Sequence, residues 1–213
     1  MSPPDVIELF LEGAGVVAAA VGSAVVADAW DLPSVLEDQR VGGLAGHLAR
    51  GGVWVVADYL DEGVPGATVD FSSAGEYFHS LLAAVSPEDH QAIRRRGAEV
   101  AAAGQGELCR ALRQRLEALG PRLRSLEASH LIAVTGRKVM RLDDYLTTRI
   151  VEQVVHLDDL ARSVDHDPWP MPAGATDLAI AVGIDIARRR SGSTAVIRAL
   201  YRRGWSASLF PVL

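Results

Sequence analysis

Glu152 and His156 stand four residues apart in the stretch Thr-Thr-Arg-Ile-Val-Glu-Gln-Val-Val-His-Leu-Asp-Asp-Leu (147–160). On a helix that spacing is about one turn, so a carboxylate and an imidazole project from one face and can grip a single divalent cation. A third ligand from another helix would complete a facial site with positions left open for a reactant. His47, in Gly-Gly-Leu-Ala-Gly-His-Leu (42–48), is the candidate for that ligand. The same residues have plainer readings. A Glu/His pair at this spacing is common on solvated helices, and His47, among Leu44, Ala45 and Leu48, could be a core histidine bonded to a backbone carbonyl.

The helix that would carry the pair runs from about 142 to 164. At about 100° per residue, Leu142, Leu146, Ile150, Leu157, Leu160 and Ala161 share an apolar face. Tyr145, Arg149, Glu152, His156 and Asp159 form a polar stripe beside it, and Val151 and Val155 border the stripe on its far side. A solvent face lacks that second apolar border, whereas a site inside a bundle requires it. Arg149 is placed to hold a substrate carboxylate or to orient Glu152, and Asp159 to accept the second N–H of a ligand imidazole. For both, the alternative is a surface salt bridge. His79, His90, His130 and His166 lack a partner motif and read as surface or loop residues. Cys109, between Leu108 and Leu112, reads as a packing residue.

Helical periodicity dominates the rest of the chain. One helix is expected over about 4–28, a connector over 30–39, and a second helix over about 41–61 that carries His47. Ser72 or Ser73 caps a helix through 76–84, and Ser86-Pro87-Glu88-Asp89 is a strong helix start. That helix is expected to reach Leu119 with a weak point at Gly104-Gln105-Gly106, and its continuation after Gly120-Pro121 to end near Glu127. Residues 130–140 alone have strand character, with a turn at Gly136. Helices are expected over 175–190 and 194–203. The fold class is all-α: an up-and-down four-helix bundle with peripheral helices and a short β-hairpin near 131–140. The bundle is expected to occupy 1–165, with 166–213 a helical extension packed on it.

Composition limits the partners. The 213 residues carry 49% hydrophobic and 23% charged side chains, a globular balance. A net charge of −6 with only short arginine clusters argues against nucleic acid. The apolar run Ala14–Ala27 is too short to span a bilayer and follows Asp5 and Glu8 rather than a basic leader, so no membrane role is expected. A single cysteine excludes an internal disulfide and fits a reducing cytoplasm. Lys138 is the sole lysine among 21 basic residues and asparagine is absent, which suggests a GC-rich bacterial genome.

The segments Trp30-Asp-Leu-Pro-Ser, Arg40-Val-Gly-Gly-Leu-Ala-Gly-His-Leu-Ala-Arg and 140–160 resemble the DinB-like superfamily. Within it they are most similar to the N-terminal domain of mycothiol-dependent maleylpyruvate isomerases. The resemblance covers most of 5–165. It implies a four-helix bundle that binds a divalent metal, zinc or else nickel, through His47, Glu152 and His156, with mycothiol as thiol cosubstrate. The chain departs from the pattern at Asp38-Gln39-Arg40, where relatives often carry Gly-Trp. It also ends at Leu213, without room for the C-terminal domain that contributes an arginine in two-domain isomerases, so the resemblance implies metal binding more directly than maleylpyruvate isomerisation.

Three functions follow from these readings. The first is a metal-dependent thiol transferase or thiol-assisted isomerase acting on a small electrophile, with a homodimer compatible with the sequence. The second is a non-catalytic metal-binding or stress protein, since fold alone confers no activity. The third is a specialised-metabolism enzyme that uses the bundle pocket for another substrate.

Overall fold

The structure, a computed structural model, describes residues 5–66, 68–84, 86–204 and 209–212. It is an all-α fold with one short hairpin, as the periodicity requires. Helix α1 (Val6–Val21) starts at Asp5, whose Oδ1 accepts from the backbone N–H of Ile7 at 3.0 Å and of Glu8 at 3.3 Å. Ile7, Phe10, Ala14, Val17 and Val21 recur every three or four residues and are buried, facing the helix that carries Glu152. The helix expected over 4–28 is broken. Gly22 ends α1, and after Ser23 a separate short helix α2 (Ala24–Asp28) begins. The Ser23 hydroxyl donates to the Ala20 carbonyl, so its side chain competes with the helical ladder at the break.

Helix α3 (Val41–Ala49) is buried on nearly every side, with His47 the exception among its last residues. It crosses helix α6 (Pro87–Ala101) at Gly46 and Gly97, where the backbones touch. A Cβ on Gly97 would lie 2.8 Å from the Gly43 carbonyl oxygen and 3.0 Å from the His47 nitrogen. The chain after α3 widens into a π-helical stretch, Arg50–Trp54, before α4 (Val55–Asp61) resumes. The expected helix over 41–61 is therefore three segments in line. The cause lies in Gly51-Gly52, which resist a widened turn least.

Helix α5 (Ala74–Ala84) leads to α6, whose first turn carries the Ser86/Asp89 capping box legible in the sequence. Helix α7 (Gln105–Arg124) departs from the sequence reading. It runs through Gly120-Pro121 without ending, although Pro121 lacks the N–H that would bond the carbonyl one turn before it, and closes at Arg124. Gly104, at φ 89°, separates α6 from α7 where a weak point was expected.

Strands β1 (Leu131–Val134) and β2 (Lys138–Arg141) pair antiparallel with Leu131 opposite Arg141. Their turn needs left-handed backbone, supplied by Gly136 at φ 71° and Arg137 at φ 59°. β2 runs directly into α8 (Leu142–Ser163), so the hairpin fixes where the long helix begins. α8 packs on α1, α3, α5 and α9 (Ala173–Ser191), and α10 (Ser193–Tyr201) packs on α9. Two adjoining cores result. One joins α8 to the hairpin, α5 and α9 around Tyr145, Leu146 and Ile150; the other joins α1, α3 and α7 around Leu44, Leu48 and Leu112. Each fully buried leucine or aromatic there contributes about 1.5–3 kcal/mol. Among the described residues no helix is long and apolar enough to cross a membrane.

Candidate metal centre

α8 and α3 meet side by side, and the outcome for the three candidate ligands is convergence. The Nε2 of His47 and the Nε2 of His156 each lie 3.5 Å from the same oxygen, Oε2 of Glu152. The two imidazole rings stand 4.7 Å apart between centres at 84° to each other. One ligand atom from each residue falls within 4.8 Å of the others. Two donors on a tetrahedral zinc, with bonds of about 2.0–2.2 Å, sit about 3.4 Å apart. The two carboxylate-to-imidazole separations therefore lie close to what one divalent cation needs. The set of two nitrogens and one oxygen also suits zinc or nickel in preference to calcium or magnesium.

The surroundings prepare these side chains. The Nδ1 of His156 lies 3.0 Å from Asp159 Oδ2, so the Asp159 carboxylate accepts the Nδ1–H and leaves Nε2 to face Glu152. Burial alone would raise the Glu152 pKa, but hydrogen bonds from His156 and His47 and the nearby Arg149 charge outweigh it and hold the carboxyl well below its usual range. Burial likewise works against a charged His156, yet its bonds to Asp159 and Glu152 win and raise it to about 9. Each of the three side chains keeps between 17% and 21% of its surface accessible, enough for a small molecule to reach the site.

Arg149 is buried. Its Nη1 donates to the Gly51 carbonyl at 2.8 Å, its Nε to the Thr148 hydroxyl at 2.9 Å, and its guanidinium lies over the Tyr145 ring at 4.9 Å. Nη2 has no protein partner among the described residues. Arg149 thus touches the π-helical segment rather than Glu152 and acts on Glu152 through its field. Gln153, fully buried, repeats the arrangement by donating from Nε2 to the Gly52 carbonyl at 3.0 Å. Sequence reasoning passed over Gln153. The signal available was Gly51-Gly52 inside a helix, whose carbonyls in a widened turn are open to side-chain donors.

Two cavities adjoin the triad. His47, Glu152, Leu81 and Ile93 line both. The first, about 370 Å³, is walled by Phe78, Val151 and Val155 and is reached by His156. The second, about 380 Å³, is walled by Arg50, Arg96, Arg149, Tyr59, Tyr77 and Tyr145. His90, read from sequence as a surface residue, is exposed but lines the first cavity from α6. Nothing in the sequence marks it, because α6 reaches the site only through the crossing with α3. Cys109 is buried away from the triad, and burial pushes its thiol pKa up, which suits packing rather than nucleophilic attack.

The family description that matches the chain over residues 10–161 is the mycothiol maleylpyruvate isomerase N-terminal domain. The chain belongs to that family. No curated protein and no solved structure matches it significantly. The match to the mycothiol maleylpyruvate isomerase N-terminal domain begins at Phe10 in α1 and ends at Ala161 in α8, so it takes in all three candidate ligands, Arg149 and Asp159.

Proposed function

We propose that the protein is a divalent-metal-dependent thiol transferase, or a thiol-assisted isomerase, that acts on a small electrophile in a reducing cytoplasm. The observation that carries this reading is the convergence of His47, Glu152 and His156 at the junction of two cavities. These residues would hold the metal, zinc in the first instance, leaving coordination positions open toward the cavities. A divalent metal bound there would act as a Lewis acid that lets a thiol lose its proton near neutral pH. Mycothiol, named in the family's description, is the thiol proposed.

The chain's own residues have the remaining tasks. Asp159 holds His156 in the tautomer that turns Nε2 to the site. Glu152 stays ionised and supplies one negative charge to the centre. Arg149, charged and braced by Gly51 and Thr148, lines the second cavity, where it can attract an oxygen of a bound molecule. In transfer, the thiol proton passes to solvent, a sulfur–carbon bond forms, and the leaving group departs with its bonding pair. In isomerisation, the same thiolate adds to a carbon–carbon double bond and is expelled after rotation.

Metal analysis of purified protein tests the site, and conjugation of mycothiol to an electrophile tests the activity. One equivalent of zinc or nickel is expected, lost in His47→Ala and Glu152→Ala, with turnover abolished in His156→Ala. A wild type that takes up no metal, or turnover indifferent to His156→Ala, overturns the reading.

A further inference from the structure

The triad adjoins two cavities of nearly equal size, the second of them the richer in arginine and tyrosine, and this says more about the reactants than the metal grip does. On one side of Glu152, the walls are Leu36, Phe78, Leu81, Ile93, Val151 and Val155, with polar groups such as Glu37, His90 and Arg94 alongside. In the other cavity three guanidinium groups and three phenols share the wall with Asp89 and with the apolar Val55, Leu81 and Ile93, and the Tyr59 hydroxyl is held 2.8 Å from Thr135 Oγ1. Arg149, buried and held by Thr148 and Gly51, is one of the three.

We propose that the two cavities are filled together, the apolar one by an uncharged, apolar electrophile and the polar one by the hydroxyl-rich body of the thiol. The assignment rests on the thiol-transfer reading above and adds to it the class of acceptor and the place of each reactant. Desolvation supports it in both directions. A run of hydroxyls placed against Phe78, Val151 and Val155 would lose its water along that wall, which offers no side-chain donor in return. An apolar body placed against Arg50, Arg96 and Arg149 would take water from three guanidinium groups that the hydroxyls of a polar ligand can keep hydrogen-bonded. Each cavity therefore favours its own ligand over the other's. Because Glu152 and His47 belong to both walls, a ligand in either cavity lies against the same pair of side chains.

The test is binding, so it does not depend on turnover. Zinc-loaded protein is titrated by calorimetry with 4-nitrobenzyl alcohol, which is uncharged and unreactive, and with 4-carboxybenzyl alcohol, each with and without saturating mycothiol. The nitro compound is expected to bind at least tenfold more tightly than the carboxylate, with a Kd changed less than twofold by mycothiol. Val155→Asp, at a position 36% exposed and so tolerant of substitution, is expected to weaken the alcohol at least tenfold and mycothiol little. Val155→Trp, which fills the same cavity with apolar volume, is expected to exclude the alcohol even if the aspartate variant fails to fold. Arg50→Ala is expected to weaken mycothiol alone. Displacement of the alcohol by mycothiol, preference for the carboxylate, or alcohol binding unmoved in a folded Val155 variant overturns the proposal. Absence of zinc defeats the thiol-transfer reading instead, while the alcohols still report on the apolar cavity.

Discussion

Asp159 and His156 form a 3.0 Å contact between Oδ2 and Nδ1, one turn beyond Glu152 on the same helix. The carboxylate can only accept there, so the proton sits on Nδ1 and the free electron pair of a neutral ring sits on Nε2, toward His47 and Glu152. A helix thereby orients its own candidate ligand.

Removing that contact is expected to weaken the grip without abolishing it. Asp159→Ala should lower zinc affinity by about 10- to 100-fold, the usual cost of losing a ligand's supporting carboxylate. Competition with a chromophoric chelator measures it. An unchanged affinity would show that the ring is held by packing alone.

Metal should stabilise the fold, because the three candidate ligands come together only when α3 and α8 dock. Free zinc at 100 times its Kd is expected to add about 2.7 kcal/mol to unfolding free energy. Thermal melts with and without zinc read this as a rise in Tm, and Glu152→Ala should show none of it.

The metal-free protein should respond to pH through His156 and Glu152. The His156 pKa rises from 6.5 to about 9 on folding, so its contribution is complete below pH 6.5 and is lost as pH climbs through about 9. That contribution is roughly 3 kcal/mol at most. Glu152 lies well below its ordinary 4.5, so its contribution is present above that pH and is lost as pH falls further into the acid range. Chemical denaturation of metal-free protein should thus show declining stability between pH 6.5 and 9.5, which His156→Gln removes. Zinc must displace the His156 proton, so its apparent affinity should rise by about tenfold per pH unit over the same window.

The crossing of α3 and α6 leaves no room for a methyl group. Gly97→Ala would place a Cβ 2.8 Å from the Gly43 carbonyl oxygen and 3.1 Å from the His47 Cβ. The helices must part, at a cost of about 1–3 kcal/mol. Urea midpoints measure the loss, and weaker zinc binding should accompany it because His47 moves with α3.

Much of this protein was legible from its residues. The four-residue spacing of Glu152 and His156 fixes them on one face because helix geometry is local, and the valines beyond the stripe marked that face as one turned inward. The capping box at Ser86 and the turn at Gly136 were readable for the same reason, since both depend on neighbours in sequence. The break at Gly22-Ser23 and the continuation of α7 through Pro121 were misjudged. Each is a balance between local cost and packing against distant helices.

What the sequence could not decide is where His47 lies relative to Glu152, and what stands around them. His47 reaches the pair because α3 docks on α8 and lies against α6 at Gly46 and Gly97, contacts made between helices far apart in the chain. Arg149 and Gln153 meet the π-helical carbonyls of Gly51 and Gly52 for the same reason, and His90 comes to the site from a third helix. The sequence determined which side chains share a helix face, because that follows from 3.6 residues per turn. Only the tertiary structure decided which faces meet, because that depends on how closely whole helices can pack.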